Sequence, residues 1–230
     1  MDRITKTRAI SWTAATIITP LIIGWMGSGF YIGLWYAKTQ HQGPPLPAVL
    51  ARGIPLGITI GLWATVFLFW LAHRKRAAFS ELFAASSLNL SADLLYGLCL
   101  GAVWVVIYGI FDVVAFRDMF VFRTDKALSL PATFSAGFCE EFLFRGFLFA
   151  VITRAGGGVK SQIAITSIAF GLAHVFWGPW GMLWTTGLGA TFAVARVWRG
   201  NVWPAVAAHT VLNLCIEPAL LNKAVSGGFG

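Results

Sequence analysis

The chain has 230 residues, of which 57% are hydrophobic and only 11% are charged, and its formal net charge is +8. Soluble domains usually carry about 25% charged residues, because polar atoms must cover their surface. This composition therefore excludes an ordinary water-soluble domain, and apolar runs of about 20 residues indicate that the surrounding solvent is lipid. The basic residues lie in short clusters between those runs, which indicates membrane orientation and anionic lipid headgroups and argues against nucleic acid.

The apolar runs predict an all-α, polytopic transmembrane bundle with about seven spans, within a range of six to eight. The predicted spans cover residues 10–37, 53–72, 94–116, 130–153, 162–176, 179–197 and 202–221. Residues 77–90 are predicted to lie along the membrane interface, and glycines 156–158 form the clearest linker. We interpret residues 1–230 as a single membrane-embedded domain, with N-terminal spans in residues 1–129 and core spans in residues 130–222.

The distribution of Lys and Arg predicts which end of the bundle faces the cytoplasm. If the N-terminus lies inside and there are seven spans, the inner loops carry more Lys and Arg than the outer loops, as the positive-inside rule requires. We therefore expect an integral membrane protein of the plasma membrane whose N-terminus is cytoplasmic.

Three charged residues, Glu140, Glu141 and Arg145, lie within the fourth predicted span. A charge at mid-span costs about 2.5–3.5 kcal/mol on insertion scales, so each one needs a partner or a function. Glu141 and Arg145 are four residues apart with the acid first, the spacing at which the two side chains neutralise each other on a helix. Glu140 points about 100° away around the helix, so it is the surplus acid.

Two later spans contribute imidazoles and a carboxamide. His174 lies in the fifth predicted span, and His209 and Asn213 lie one turn apart on one face of the seventh. At 1.5 Å per residue, Glu140, His174 and His209 lie about 20, 21 and 13 Å from the inner ends of their spans. A lone buried histidine is more often a packing residue than a ligand, but these depths are compatible with one pocket inside the bilayer.

Two chemistries fit these residue types. Glu140, with His174, can hold and deprotonate water while His209 and Asn213 hydrogen-bond the oxyanion of a tetrahedral intermediate. Alternatively, Glu140, His174 and His209 can bind Zn²⁺ as three protein ligands and leave one position for water. Residue types alone do not choose between these two sites.

Three motifs occur in order in the second half of the chain: Glu140-Glu141-x-x-x-Arg145, Phe170-x-x-x-His174 and His209-x-x-x-Asn213. They resemble the motifs of the CAAX protease and bacteriocin-processing family, which includes the type II CAAX prenyl endopeptidases. The resemblance covers about residues 130–214. It implies an all-helical membrane bundle whose catalytic cavity lies within the bilayer.

The resemblance also implies a role for each motif residue. The implied catalytic residues are Glu140 and His174, which activate water, and His209 and Asn213, which stabilise the oxyanion. The implied supporting residues are Glu141, Arg145 and Phe170. The resemblance favours a glutamate-dependent mechanism without a cofactor, and Zn²⁺ held by Glu140, His174 and His209 is the second alternative.

The sequence thus predicts an intramembrane endopeptidase that hydrolyses a peptide bond of a membrane-associated protein or peptide, and the resemblance favours a prokaryotic inner membrane. Its expected partners are the lipid bilayer and a substrate such as a CAAX-like tail, a peptide precursor or a C-terminal sorting segment, but no nucleic acid. The alternative is a non-catalytic bacteriocin-immunity or partner-binding membrane protein on the same fold. A transporter ranks below both, because the sequence has no visible inverted repeat.

Overall fold

The computed structural model describes residues 4–39, 46–73, 89–111, 124–175 and 178–225, and the regular secondary structure in these ranges is helical throughout. The all-α prediction is confirmed for these residues. In chain order, the helices and their bounds are α1 (Lys6–Thr39), α2 (Leu46–His73), α3 (Leu90–Phe111), α4 (Thr124–Glu141), a π-helical segment (Phe142–Leu148), α5 (Phe149–Arg154), α6 (Val159–Ala173), α7 (Gly178–Arg199) and α8 (Trp203–Val225).

The ends of the predicted spans and of the described helices differ by up to 7 residues, with the largest difference at the start of α2. Within the fourth predicted span, α4 passes into seven π-helical residues before α5 begins. The glycine linker lies where it was predicted, between Arg154 and Val159. Residues 77–88, in the predicted interfacial segment, and residues 112–116, at the end of the third predicted span, lie outside the described residues.

One described helix, α3, is long and apolar enough to cross a membrane by itself, with 22 residues and a mean hydropathy of 2.2. Shorter apolar stretches occupy Thr59–Leu71, Val159–Ala173 and Trp203–Ile216. Large apolar side chains, including Ile110, Phe111 and Trp180, are exposed on the outer surface. Soluble monomers rarely expose extensive apolar patches, so this surface supports a membrane protein, while the number of spans stays a prediction.

Two apolar clusters form the interior. The first cluster surrounds the π-helical segment and includes Phe69 of α2 and Phe170 of α6. The second cluster joins α3, α7 and α8 and includes Val105, Phe192 and Leu212. The rings of Phe170 and Phe192 both contact the His209 ring, so the polar site borders both apolar clusters.

Helix α3 packs closely along α8 through glycine. A Cβ atom built at Gly101 would lie 2.8 Å from the carbonyl oxygen of Ala208, and one built at Gly97 would overlap the backbone of Pro204. Small residues at such positions let membrane helices approach closely, which is how van der Waals contact holds helices together in lipid. Because Ala208 precedes His209, this contact also fixes the position of one motif residue.

We expect Gly101→Ala and Gly187→Ala to change stability in opposite directions. The new methyl group at Gly101 meets the α8 backbone and should lower the free energy of unfolding by about 1–3 kcal/mol. Gly187 has open space around it, so alanine there should raise the free energy of unfolding by about 0.5–1 kcal/mol through its helix preference. Thermal unfolding of both variants in the same detergent measures the difference, and equal shifts would contradict the close α3–α8 contact.

Candidate active site

The charged residues of α4 lie where that helix meets α8. A Cβ atom at Gly137 would come within 3.2 Å of the backbone nitrogen and Cα of Thr210, so glycine allows the two helices to touch. Gly137 lies one turn before Glu141, and Thr210 directly follows His209. The close approach therefore brings the acids of the first motif to the imidazole of the third.

Arg145 is fully buried and is held by three kinds of contact. Its Nη1 donates to Glu141 Oε1 at 3.0 Å, as the spacing of four residues predicts. Its Nη2 donates to the carbonyl oxygen of Gly189 on α7 at 2.9 Å. The guanidinium carbon lies 4.4 Å from the centre of the Phe170 ring, a cation–π contact in a desolvated site. Arg145 is thus committed to Glu141, Gly189 and Phe170.

Glu141 links Arg145 to His209. The same atom that accepts from Arg145, Oε1, lies 2.9 Å from His209 Nδ1, and the Glu141 side chain is fully buried. A carboxylate that already accepts from a guanidinium offers only lone pairs, so the proton of this hydrogen bond lies on His209 Nδ1. In a neutral His209, Nε2 therefore carries a lone pair and points away from Glu141.

His174 is oriented in the same way by a backbone group. It follows the last residue of α6, and its Nδ1 lies 2.8 Å from the carbonyl oxygen of Phe170. A carbonyl oxygen can only accept, so Nδ1 of His174 is the donor and Nε2 of the neutral ring carries the lone pair. Both imidazoles thus have their tautomer fixed by an acceptor at Nδ1.

Glu140 lies between the two imidazoles. Its Oε2 is 3.8 Å from His174 Nε2 and 4.0 Å from His209 Nε2. These separations are too long for direct hydrogen bonds, and they suit a bridging water molecule. Glu140 Oε2 is buried and has no hydrogen-bond partner among the described residues, and the same holds for Glu141 Oε2. Of these two acceptors, Glu140 Oε2 is the one that lies near the Nε2 atoms of both imidazoles.

The residues of the site differ in how much of their side-chain surface is exposed. The side chains of Glu140 and His174 keep 15% and 17% of their surface exposed, whereas those of Glu141 and Arg145 keep none. Glu140 and His174 are therefore partly open to the outside, although Glu140 Oε2 itself is buried. Glu141 and Arg145 act only through the residues that they hold.

The zinc alternative can be compared with these distances. Tetrahedral Zn²⁺ with bonds of about 2.0–2.2 Å would separate its ligand atoms by roughly 3.3–3.6 Å, which is shorter than both Nε2–Oε2 distances. Across the part of the chain that the structure describes, no group of three or more His, Cys, Asp or Glu side chains is spaced to hold a metal ion. Glu140, His174 and His209 would therefore have to move closer together to hold the ion.

The structure brings together most of the predicted site residues. Glu140, Glu141, Arg145, His174 and His209 all lie in one connected group, and the Phe170 ring contacts three of them. Asn213 lies one turn beyond His209 on α8 and is half-buried. Its predicted role toward an oxyanion stays a prediction.

Several residues that shape the site were not predicted. The Phe192 ring stacks on His209 with 5.5 Å between ring centres, and Gly189 supplies its carbonyl oxygen to Arg145. Arg196 Nε donates to the carbonyl oxygen of Arg145 within the π-helical segment at 3.3 Å. A π-helical turn alters the backbone hydrogen bonding of its helix, and such turns are frequent at functional sites. Of these residues, only Arg196 could have been singled out from the sequence, because it is a cation near the end of a predicted span.

We expect a double-mutant cycle on Arg145 and Glu141 to show strong coupling. Arg145→Met alone leaves a buried carboxylate without its cation and should cost about 3–5 kcal/mol of unfolding free energy. The double variant Glu141→Gln/Arg145→Met removes both charges and should be more stable than that single variant, with a coupling of about 1–3 kcal/mol. Unfolding in detergent measures all four corners of the cycle, and strictly additive effects would contradict the buried pair.

Comparison with known proteins identifies the segment that contains this site. Residues 123–215 match the family model described as type II CAAX prenyl endopeptidase Rce1-like. No curated protein and no solved structure matches the chain. The matched segment contains all three motifs and the residues that gather around Glu140. This match, which covers less than half of the chain, supports membership of the CAAX protease family for the segment that carries the site.

Proposed function

We propose that the protein is an intramembrane endopeptidase that hydrolyses a peptide bond with water activated at Glu140. The observation that carries the proposal is the position of Glu140 Oε2, buried without a hydrogen-bond partner in the described residues and facing the Nε2 atoms of His174 and His209. A general base must lie within reach of the proton that it removes, directly or through one water molecule. Glu140 meets this requirement for a water molecule held between itself and His174.

The oxyanion contact that we propose for His209 needs one additional proton on its ring, because Nε2 of the neutral tautomer carries a lone pair. Protonated His209 would then donate from Nε2, while its Nδ1 stays bonded to Glu141 Oε1.

This proton gives His209 the role that hydrolysis requires. Glu140 takes a proton from water as the water oxygen attacks the carbonyl carbon of the substrate, and His174 Nε2 accepts the second water proton as a hydrogen bond. The developing oxyanion accepts hydrogen bonds from His209 Nε2 and from the Asn213 carboxamide. Glu140 then passes its proton to the leaving amine nitrogen as the C–N bond breaks.

The membrane topology that we propose places this site within the bilayer and the N-terminus in the cytoplasm. The backbone nitrogen of Ile4 donates to the carbonyl oxygen of Arg154, so α1 begins beside the end of α5. Arg196, near the end of α7, contacts the Phe149 ring at the beginning of α5. One end of the bundle therefore gathers the basic residues Lys6, Arg8, Arg154, Lys160, Arg196 and Arg199. Such a basic end is typical of the cytoplasmic side of a polytopic bundle of about seven spans.

The proposed substrate is a membrane-associated protein or peptide. Glu140 and His174 are partly exposed, and two large apolar side chains are exposed after His174, those of Val175 directly after it and of Trp180 six residues later. An extended peptide that reaches Glu140 would pass this apolar surface, which favours a lipid-anchored tail, a peptide precursor or a membrane-spanning sorting segment.

We expect Glu140→Ala to abolish cleavage while the protein still folds and inserts, because it removes the base and leaves the Glu141–Arg145–His209 group intact. Membrane proteomes of cells with wild-type and Glu140→Ala protein should differ by the accumulation of an uncut precursor. Phe134→Ala, an outward-facing truncation on the same helix, serves as the control and should leave processing unchanged.

Full processing in the Glu140→Ala protein would overturn the proposed chemistry. If the cellular function of the protein persisted in that variant without any processing, the non-catalytic immunity or partner-binding alternative would be correct.

We further propose that the reaction needs no metal. Peptide hydrolysis by purified protein should continue after treatment with a chelator, and elemental analysis should find less than one zinc ion per chain. Loss of hydrolysis on chelation, followed by recovery on addition of Zn²⁺, would contradict this proposal and would assign Glu140, His174 and His209 as ligands.

A further inference from the structure

A second buried charged group lies at the end of the bundle where α3 begins. Asp93, in the first turn of α3, is only 1% exposed. Its Oδ1 accepts from Arg199 Nε at 2.6 Å, and its Oδ2 accepts from Asn201 Nδ2 at 2.8 Å. Both carboxylate oxygens are therefore bonded to the segment that connects α7 to α8. None of the reaction steps proposed above uses this carboxylate.

Asp93 bonds to the last residue of α7 and to a residue of the turn that leads into α8. Arg199 is the last residue of α7, and Asn201 Oδ1 accepts from the backbone nitrogen of Trp203, the first residue of α8. This bond caps α8 at its N-terminus. Between them, Gly200 has a φ of +71°, a backbone conformation that glycine adopts without strain. The turn is therefore compact and tied to α3 through one side chain.

The two helices that Asp93 ties together carry the contacts of the site. Helix α7 supplies the Gly189 carbonyl oxygen to Arg145 and the Phe192 ring to His209. Helix α8 supplies His209 itself, eight residues after Asn201. Because a helix is stiff over this length, a shift at Asn201 moves the His209 imidazole relative to Glu141.

The packing of α3 leaves little room for α8 to move sideways. Gly97 and Gly101, one and two turns beyond Asp93, bring the α3 backbone against Pro204 and Ala208 of α8. Close packing fixes the distance between the two helices, and the Asp93 bonds resist sliding of α8 along its axis. Together they set the depth of His209.

We propose that Asp93 is a positioning residue, which fixes the register of α7 and α8 against α3 so that His209 Nδ1 meets Glu141. This proposal rests on the proposed function for its consequence in catalysis. Asp93 lies outside residues 123–215, the segment that matches the family, so the N-terminal half of the chain contributes to the geometry of the site.

The first test follows the His209 ring and needs no substrate. In protein labelled with ¹⁵N-histidine, the His209 signals are those lost in His209→Gln. Asp93→Asn replaces an acceptor by an amide that must turn a donor toward Arg199 or Asn201. We therefore expect it to shift the His209 signals, and Glu141→Gln should shift them as well. Asn201→Ser keeps a capping residue for α8 but removes the amide bonded to Asp93, and should shift them in the same direction.

Asn89→Ala is the matched control. Asn89 is exposed, and its side chain accepts from the backbone nitrogen of Ala92, so this variant weakens the start of α3 without touching the α7–α8 connection. It should leave the His209 signals unchanged. If Asp93→Asn does not fold, Asn201→Ser decides. Unchanged His209 signals in a folded Asp93→Asn or Asn201→Ser protein would overturn the proposal.

The second test measures hydrolysis of a cleaved peptide. Misplacement of a catalytic group by about 1 Å can cost on the order of a hundredfold in rate, so kcat should fall by about ten- to a hundredfold in Asp93→Asn while KM stays unchanged. Asn89→Ala should keep the wild-type kcat. If wild-type protein cleaves nothing, the proposed function fails while the histidine signals still test the position of His209. An unchanged kcat in Asp93→Asn beside an active wild type would contradict the role of Asp93.

Discussion

The site depends on one oxygen atom, Glu141 Oε1, which accepts a hydrogen bond from Arg145 and another from His209. This atom joins the first motif to the third across 68 positions of sequence. Through this atom, the buried Arg145 guanidinium pairs with Glu141 and not with Glu140. The same atom fixes the tautomer of His209 by accepting the proton on Nδ1. Glu140, one residue earlier, is thereby left without the cation and stays available to water. Two adjacent glutamates thus have different partners, because only Glu141 accepts a hydrogen bond from Arg145.

The surrounding residues shield Arg145, Glu141 and His209 from water and leave Glu140 and His174 partly exposed. The Phe170 and Phe192 rings cover Arg145 and His209, and a low-dielectric environment strengthens the hydrogen bonds between them. Gly137 and Gly101 let α4 and α3 approach α8 without a side chain between the backbones. Charged residues inside an apolar bundle are stabilised only when they contact one another closely. The glycines that flank the site allow the helices to approach closely enough for these contacts.

Local signals in the sequence predicted the helices and the three motifs, and the spacing of four residues predicted the Glu141–Arg145 pair. The bond from His209 to Glu141 could not be predicted, because it joins distant helices whose contact depends on Gly137. The Gly189 carbonyl oxygen and the π-helical segment have no side-chain signature, and Asp93 lies at a span edge, where an acid has ordinary explanations. The single-domain organisation and the number of spans stay predictions, because they depend on segments outside the described residues.

We propose that the two adjacent acids have different functions, in which Glu140 activates water and Glu141 holds His209. Single-turnover hydrolysis of one peptide by Glu140→Gln and Glu141→Gln protein, with peptide binding measured in parallel, tests this division most directly. We expect Glu140→Gln protein to bind the peptide without cleaving it, whereas Glu141→Gln protein should cleave it at a reduced rate. If Glu140→Gln protein cleaved the peptide faster than Glu141→Gln protein, Glu140 would not be the base.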